Sequence, residues 1–239
     1  ECILTDFKTI TSRENPLIKL AYSLQNSSKA RKDNGLFLIE GLRICKDAIE
    51  NGIRFEKLII SETAIKKYEN DVTVFSKNAL ESFVITDSLF KKISDTTSPQ
   101  GIIAICKIKT ENKNKIDKNG RYIALENIAD PSNLGAVSRT AEALGVTGII
   151  VSSISCDPFS PKALRSSMGT LLRMPIIVLD DFSKEIANLG LKTYSCVVDK
   201  EALSINEVAF SNSSVIIIGN EANGITAETK ENSDYLITI

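Results

Sequence analysis

Apolar positions in the first hundred residues switch between two periods. In PLIKLAYSLQ (16–25), Leu17, Leu20 and Leu24 recur at helical spacing. LFLIE (36–40), KLIIS (57–61), SFVIT (82–86) and GIIAICKIK (101–109) are short apolar runs of strand length. Between them, LRICKDAIENG (42–52), stopped by Gly52, ETAIKKYEN (62–70) and SLFKKISD (88–95) have the helical period. Strands alternating with helices predict a small α/β domain. The polar, Lys- and Asn-rich stretch KIKTENKNKIDKNG (107–120) then separates two apolar runs and reads as a linker. The pattern thus predicts a first domain over residues 1–107, a linker over 108–119 and a second domain over 120–239.

Alternation is stronger after the linker. RYIALENI (121–128), GIIVSS (148–153), PIIVL (175–179), TYSCVV (193–198), SVIIIG (214–219) and YLITI (235–239) read as strands. Several are almost continuously apolar, as strands covered on both faces of a parallel sheet are. NLGAVSRTAEALG (133–145) predicts a helix with a buried stripe of Leu134, Val137, Ala141 and Leu144. SPKALRSSMGTLL (160–172) predicts another, opened by a hydroxyl N-cap at Ser160 and by Pro161, whose missing N–H costs nothing there. Three strands run into loops rich in Asn, Asp, Pro, Ser and Gly: ENIADPSNLG, SSISCDPFSPK and GNEANGI. In an open parallel sheet such loops line the carboxyl edge, where ligands bind; the same residues also serve ordinary turns.

Composition narrows the chemistry. The chain has 239 residues, 43% hydrophobic and 25% charged, enough apolar sequence for a core. No run reaches the length of a membrane span, and the N-terminal ECILTDFKTITSREN lacks the basic start and apolar run of a secretory signal. Histidine is absent, which excludes His-based triads and His-containing zinc sites. The five cysteines (2, 45, 106, 156 and 196) show no C-x-x-C spacing and suggest reduced thiols in an intracellular, cytoplasmic setting. Neither G-x-G-x-x-G after a strand nor a P-loop occurs, so an ordinary dinucleotide enzyme or NTPase is disfavoured. The net charge of −1 conceals an asymmetry: residues 1–119 hold 20 basic and 16 acidic side chains, residues 120–239 hold 9 and 14. A basic first half beside an acidic second half points the first toward a polyanion, unless the difference is compositional drift.

ENIADPSNLGAVSRTAEALG, CDPFSPKALRSSMGTLLRMPI and IIIGNEANGI, in this order and spacing, resemble the successive motifs of the SpoU (TrmH) branch of the SPOUT RNA methyltransferases. ITSRENPLIKLAYSL and GLFLIEGLRICKDAI resemble that family's N-terminal RNA-binding module, related to small ribosomal α/β proteins. The resemblance implies an α/β protein: a small RNA-binding domain, then a Rossmann-like parallel-sheet domain with a C-terminal trefoil knot. It implies transfer of a methyl group from S-adenosylmethionine to a ribose 2′-hydroxyl of RNA, in 23S rRNA or in tRNA, by a homodimer that needs neither metal nor membrane. The family pattern continues past the position of Ile239 through Pro-Met, a Ser-Leu-Asn motif and a last helix. The resemblance therefore implies a knot, cofactor pocket and dimer contact that these residues leave incomplete. A non-catalytic RNA-binding protein and a different nucleotide-dependent α/β enzyme are the alternatives.

Carried over position by position, the resemblance makes Asn133, Arg139 and Glu221 active-site residues and assigns the cofactor's adenine end to the backbone at Gly219 and Ile239. Arg165 faces the substrate. For Asn133 helix capping, and for Glu221 a solvated loop carboxylate, are the plainer alternatives. Ala222 stands where the family often has Gly, which matters only if that position needs a positive φ. RNA binding falls to Arg13, Lys19, Lys29, Arg31, Lys32 and Arg43, with the Lys-Ala-Arg-Lys cluster at 29–32 as its centre.

Overall fold

The computed structural model describes residues 7–239; residues 1–6, and Cys2 with them, lie outside that range. Two compact units emerge. One runs to Ile108 and takes in Phe159–Arg165; the other comprises Lys109–Pro158 and Ser166–Ile239.

The first unit carries a five-stranded sheet of β1 (Phe7–Ile10), β2 (Leu36–Glu40), β3 (Phe55–Ser61), β4 (Ser82–Ile85) and β5 (Ile102–Lys107), in the order β1-β4-β3-β5-β2. β1, β4 and β3 run parallel, and β5 is antiparallel to both of its neighbours. Among the described residues six helices precede the linker: α1 (Pro16–Asn26), α2 (Ser28–Asn34), α3 (Leu42–Glu50), α4 (Glu62–Lys67), α5 (Glu69–Asn78) and α6 (Asp87–Ile93). Helix α1 starts where Asn15 accepts a hydrogen bond from the Leu17 amide at 2.9 Å and Pro16 fixes the first turn. Its Leu17, Ile18, Ala21 and Leu24 join Leu89, Phe90 and Ile93 of α6 in one core cluster. Residues 159–165, which the sequence pattern places in the second domain, cluster with this unit. There the Phe159 ring lies 5.0 Å from that of Phe37, and Arg165 pairs with Asp95 at 2.6 Å.

The second unit is a seven-stranded sheet in which every described pairing is parallel. Its strands are β6 (Arg121–Leu125), β7 (Gly148–Ser152), β8 (Ile176–Leu179), β9 (Lys192–Cys196), β10 (Leu203–Ser204), β11 (Ser214–Ile218) and β12 (Tyr235–Thr238), in the order β10-β12-β9-β11-β6-β7-β8. Its helices are α7 (Pro131–Ala143), α9 (Thr170–Arg173), α10 (Phe182–Ala187) and α11 (Ala227–Glu231); α8 (Pro161–Ser166) falls in the first unit as far as Arg165. At the β8 edge of the sheet the Glu111 amide donates to the Ile176 carbonyl at 2.8 Å, so the linker caps an otherwise open strand.

Two sequence expectations change here. The buried face of α7 is Leu134, Gly135, Ser138 and Ala141, while Val137 is only half-buried and Leu144 is 76% exposed. The cause is a close backbone approach. A Cβ added to Gly135 would sit 2.1 Å from the Ser166 Oγ and 2.7 Å from the Ser167 nitrogen, so the helix rests on its smallest residues. Ser138 pays no desolvation penalty in that contact because its hydroxyl donates to the Leu134 carbonyl at 2.7 Å. Leu144 is the C-cap and projects beyond the seam. The single helix expected over 160–172 is broken into α8 and α9, because Met168 (φ 50°) and Gly169 (φ 86°) both adopt left-handed backbone.

Arg31 is a third change. It is 4% exposed, and its Nη1 donates to the Leu24 carbonyl at 2.6 Å and to the Gln25 carbonyl at 3.4 Å. Its guanidinium thus ties α2 to the end of α1 and is withdrawn from any surface cluster. Arg31→Met keeps the aliphatic stem and strands those carbonyls; urea unfolding should show a loss of about 2 kcal/mol, the worth of hydrogen bonds made by a charged donor.

Candidate active site

Because the second sheet is parallel, the segments after β6, β7 and β11 leave it at the same carboxyl edge. The segment after β11 turns back on itself. The Asn220 amide donates to the Gly224 carbonyl at 2.9 Å, and the Gly224 amide returns a bond to the Asn220 carbonyl at 2.8 Å. Inside the turn, Asn220 Oδ1 accepts from the amides of Ala222 at 3.0 Å and Asn223 at 3.1 Å. A Cβ on Gly219 would fall 2.1 to 2.4 Å from backbone atoms of Gly224 and Ile225, so only glycine admits this fold-back. Ala222 is not among the residues with positive φ, and the departure from Gly there is accommodated.

This turn is bound to the segment after β6. Asn220 Nδ2 donates to the Asn127 carbonyl at 2.8 Å, with Asn127 itself in left-handed conformation at φ 59°. Glu126, only 2% exposed, accepts from the Thr226 amide at 3.0 Å and from the hydroxyls of Thr226 and Thr229 at 2.7 and 2.8 Å. A buried carboxylate saturated in this way fixes the far end of the turn. On the other side, the Ser152 hydroxyl donates to Asn127 Oδ1 at 2.9 Å while accepting from the Asn127 amide at 2.9 Å, and Ser155 Oγ accepts from the Ile128 amide at 3.1 Å. Three segments distant in sequence are thereby locked together.

At their meeting point Asn133 Nδ2 donates to Glu221 Oε1 at 2.8 Å. The Ala129 amide approaches Glu221 Oε2 at 3.4 Å, placing that carboxylate at the amino end of α7, where the helix dipole favours a negative charge. The Asn133 amide group and these backbone donors hold the Glu221 carboxyl below the ordinary carboxylate range. Capping of α7 falls to Asp130, whose Oδ1 accepts from the Ser132 amide at 2.9 Å, and Asn133 is free of that duty. Cys156 sits in the same field. Burial first, then the charges of Glu221, Asp130 and Asp157, push its thiol up to about 11, so it is a neutral thiol and not a nucleophile.

The Arg139 side chain is exposed and, among the described residues, has neither a hydrogen bond nor an ion pair. It is six residues from Asn133 on α7, roughly 9 Å along the axis and about 120° around it, so the two do not touch. Asn133, Glu221 and the Gly219 turn come together, and among the described residues no side-chain hydrogen bond or ion pair joins Arg139 to them. Ile239 follows β12, two strands from β11 across β9. Of the expected RNA-binding cations, Lys29 pairs with Asp33 at 2.6 Å, Arg13 lies 3.4 Å from Glu14, and Arg165 is held by Asp95. Lys32 is exposed without a partner among the described residues, and Arg31 is interior. The 29–32 cluster is therefore dispersed, because helical geometry turns Arg31 inward between two outward lysines. Glu126, Asn127 and Asn220 fall inside the family-like motifs with no role assigned to them, and Ser152 and Ser155 lie outside those motifs; a carboxylate ending an apolar strand was the available signal for Glu126.

Residues 120–239 match the model of the SpoU rRNA methylase family, and residues 15–104 match that of the MRM3-like substrate-binding domain. The chain belongs to the SpoU rRNA methylase family. Among its curated relatives is the 23S rRNA (guanosine(2553)-2′-O)-methyltransferase RlmP of Bacillus subtilis, 28% identical over 95% of this chain and 88% of the relative. An uncharacterized tRNA/rRNA methyltransferase of Synechocystis is 28% identical over 99% of the chain and 87% of its own length. The AdoMet-bound rRNA methyltransferase of Sinorhizobium meliloti superposes with a TM-score of 0.84 at 25% identity, over 98% of this chain and 89% of that one. Both sequence halves thus follow SpoU methylases throughout, and the mixed first sheet and parallel second sheet are the fold of that family.

The Asn133–Glu221 bond has a pH signature. A carboxyl whose folded pKa is depressed stabilises the fold above its unfolded value and loses that contribution as pH falls through the folded pKa. In Asn133→Ala the Glu221 titration, followed by carbon NMR of a labelled side chain, should move up toward the ordinary carboxylate range, and the stability lost on acidification through that titration should shrink.

Proposed function

We propose that the protein transfers the methyl group of S-adenosylmethionine to a ribose 2′-hydroxyl of ribosomal RNA, in the large-subunit 23S molecule. The observation that carries this reading is the Asn133–Glu221 hydrogen bond, which joins the first and third family motifs while Arg139 stays exposed and unpaired. Membership of an rRNA methylase family and likeness to a 23S rRNA ribose methyltransferase support the substrate. A homodimer, a cytoplasmic location and the trefoil knot are parts of the same reading and rest on the family resemblance; the position of β12 between β9 and β10, away from the sheet edge, supports a threaded C-terminal segment.

The residues fit the proposed donor. The ends of β12, β9 and β11 lie side by side, and Val198, just past β9, is a fully exposed apolar side chain at the same carboxyl edge as the Gly219 turn. An apolar wall next to main-chain polar groups suits an adenine ring. When bound, S-adenosylmethionine supplies an electrophilic methyl carried by a sulfonium. Asn133, held by Glu221, orients the ribose. The guanidinium of Arg139 grips an adjacent phosphate with its fork and stabilises negative charge developing on the attacking oxygen. Because arginine is a permanent cation, this charge role suits it better than proton removal. Holding the ribose oxygen in line can itself contribute about 7–11 kcal/mol to the lowering of the barrier.

Methylation of total RNA followed by alkaline hydrolysis tests the reaction. A methylated 2′-oxygen cannot attack its phosphate, so the target should appear as a gap in the ladder; an unbroken ladder with label on a base would refute ribose chemistry. Arg139→Lys keeps the charge and loses the fork, and methyl transfer should fall by more than about ten-fold, the scale of one charge-assisted bond.

A further inference from the structure

Glu142 lies three residues beyond Arg139 on α7, one helical turn away on neighbouring faces. That is the separation at which opposite charges on a helix pair with each other. Glu142 also sits in the last turn of α7, where the helix dipole disfavours a carboxylate. Yet Arg139 has no partner among the described residues, because the carboxylate is fully engaged elsewhere. Arg173 Nε donates to Glu142 Oε1 at 2.7 Å and Arg173 Nη2 to Oε2 at 2.7 Å, a two-pronged grip. The Thr170 hydroxyl adds a third bond to Oε2 at 2.7 Å. Both donors come from α9, the short helix set apart from α8 by the left-handed turn at Met168 and Gly169.

We infer that Arg173, assisted by Thr170, is a positioning residue that sequesters Glu142 and so leaves the Arg139 guanidinium unpaired for an RNA phosphate. This rests on the reading of Arg139 as the phosphate-gripping group. Without Arg173, the freed carboxylate turns on Arg139 and also repels the polyanion. The grip explains why an acid is tolerated at that end of α7, and why a planar two-pronged cation faces it from the neighbouring segment.

Four variants of the full gene product decide the matter, each assayed for methyl transfer with its thermal melt recorded. Arg173→Ala should raise KM for RNA about three-fold, the strength of an exposed ion pair, with a smaller effect on kcat. Glu142→Gln alone should stay close to the parent. The double variant, Arg173→Ala with Glu142→Gln, should regain most of the lost KM even where its melting temperature stays low. A merely structural bridge predicts the reverse: the double variant no better than Arg173→Ala, with activity tracking stability. That result, or an unchanged KM in Arg173→Ala, overturns the inference. Arg139→Ala separates the two layers: full activity there sinks the underlying reading, whereas a dead Arg139→Ala beside an unaffected Arg173→Ala sinks only the role of Arg173.

Discussion

The second unit is organised by a main-chain contact. At Gly219 the chain leaves β11, turns through four residues and passes so close to its own start that no side chain fits between. Such a contact releases no hydrophobic free energy of its own and must be held from outside. Glu126 supplies the hold from within the neighbouring strand's end, with three bonds to Thr226 and Thr229. Asn220 supplies it from inside the turn. Once the turn is fixed, Glu221 has no choice but to face the amino end of α7, and Asn133 is the side chain that meets it. The proposed chemistry therefore depends on a backbone crossing that glycine permits and a buried carboxylate enforces.

Helix α7 is the second fixed object. Gly135 lets it approach the Ser166–Ser167 backbone, and Glu142 ties its far end to α9. The backbone approach at Gly135 sets the helix's rotation about its axis, and rotation decides which residues are buried. Leucine at 144 loses that competition, and Ser138, with its hydroxyl bonded internally, wins it. Hydrophobicity alone ranks these residues the other way.

That inversion shows what a sequence discloses and what it withholds. Apolar runs such as LFLIE and SVIIIG mark β2 and β11 because strand burial depends on composition over a few residues. The buried stripe of α7 and the break between α8 and α9 depend on a partner backbone and on two left-handed residues, one of them a methionine, and neither appears in a periodicity. The site divides in the same way. Asn133, Glu221 and Gly219 are legible through family motifs, while the holding roles of Glu126 and Asn127, inside the first motif, and of Ser152, outside it, depend on contacts between segments that no motif spells out. Arg31 illustrates the converse: a cation amid cations reads as surface, but the helical turn sends one of every few consecutive residues inward, and here it is the arginine.

Charge divides the labour between the halves. The edge around Asn133 is acidic: Asp130, Asp157 and Glu221 all bear on Cys156 and raise its thiol. A field of that sign opposes a polyanion and favours a cation, and the donor in the proposed reaction carries a sulfonium. In that reading these carboxylates complement the cofactor, not the RNA, and the second half's acidic balance of 14 against 9 is no obstacle to a methyltransferase. RNA affinity then has to come from the more basic first half, which matches a substrate-binding domain over residues 15–104. Within the acidic half a guanidinium kept clear of carboxylates becomes the point where phosphate can approach, which is why the isolation of Arg139 matters more than its charge.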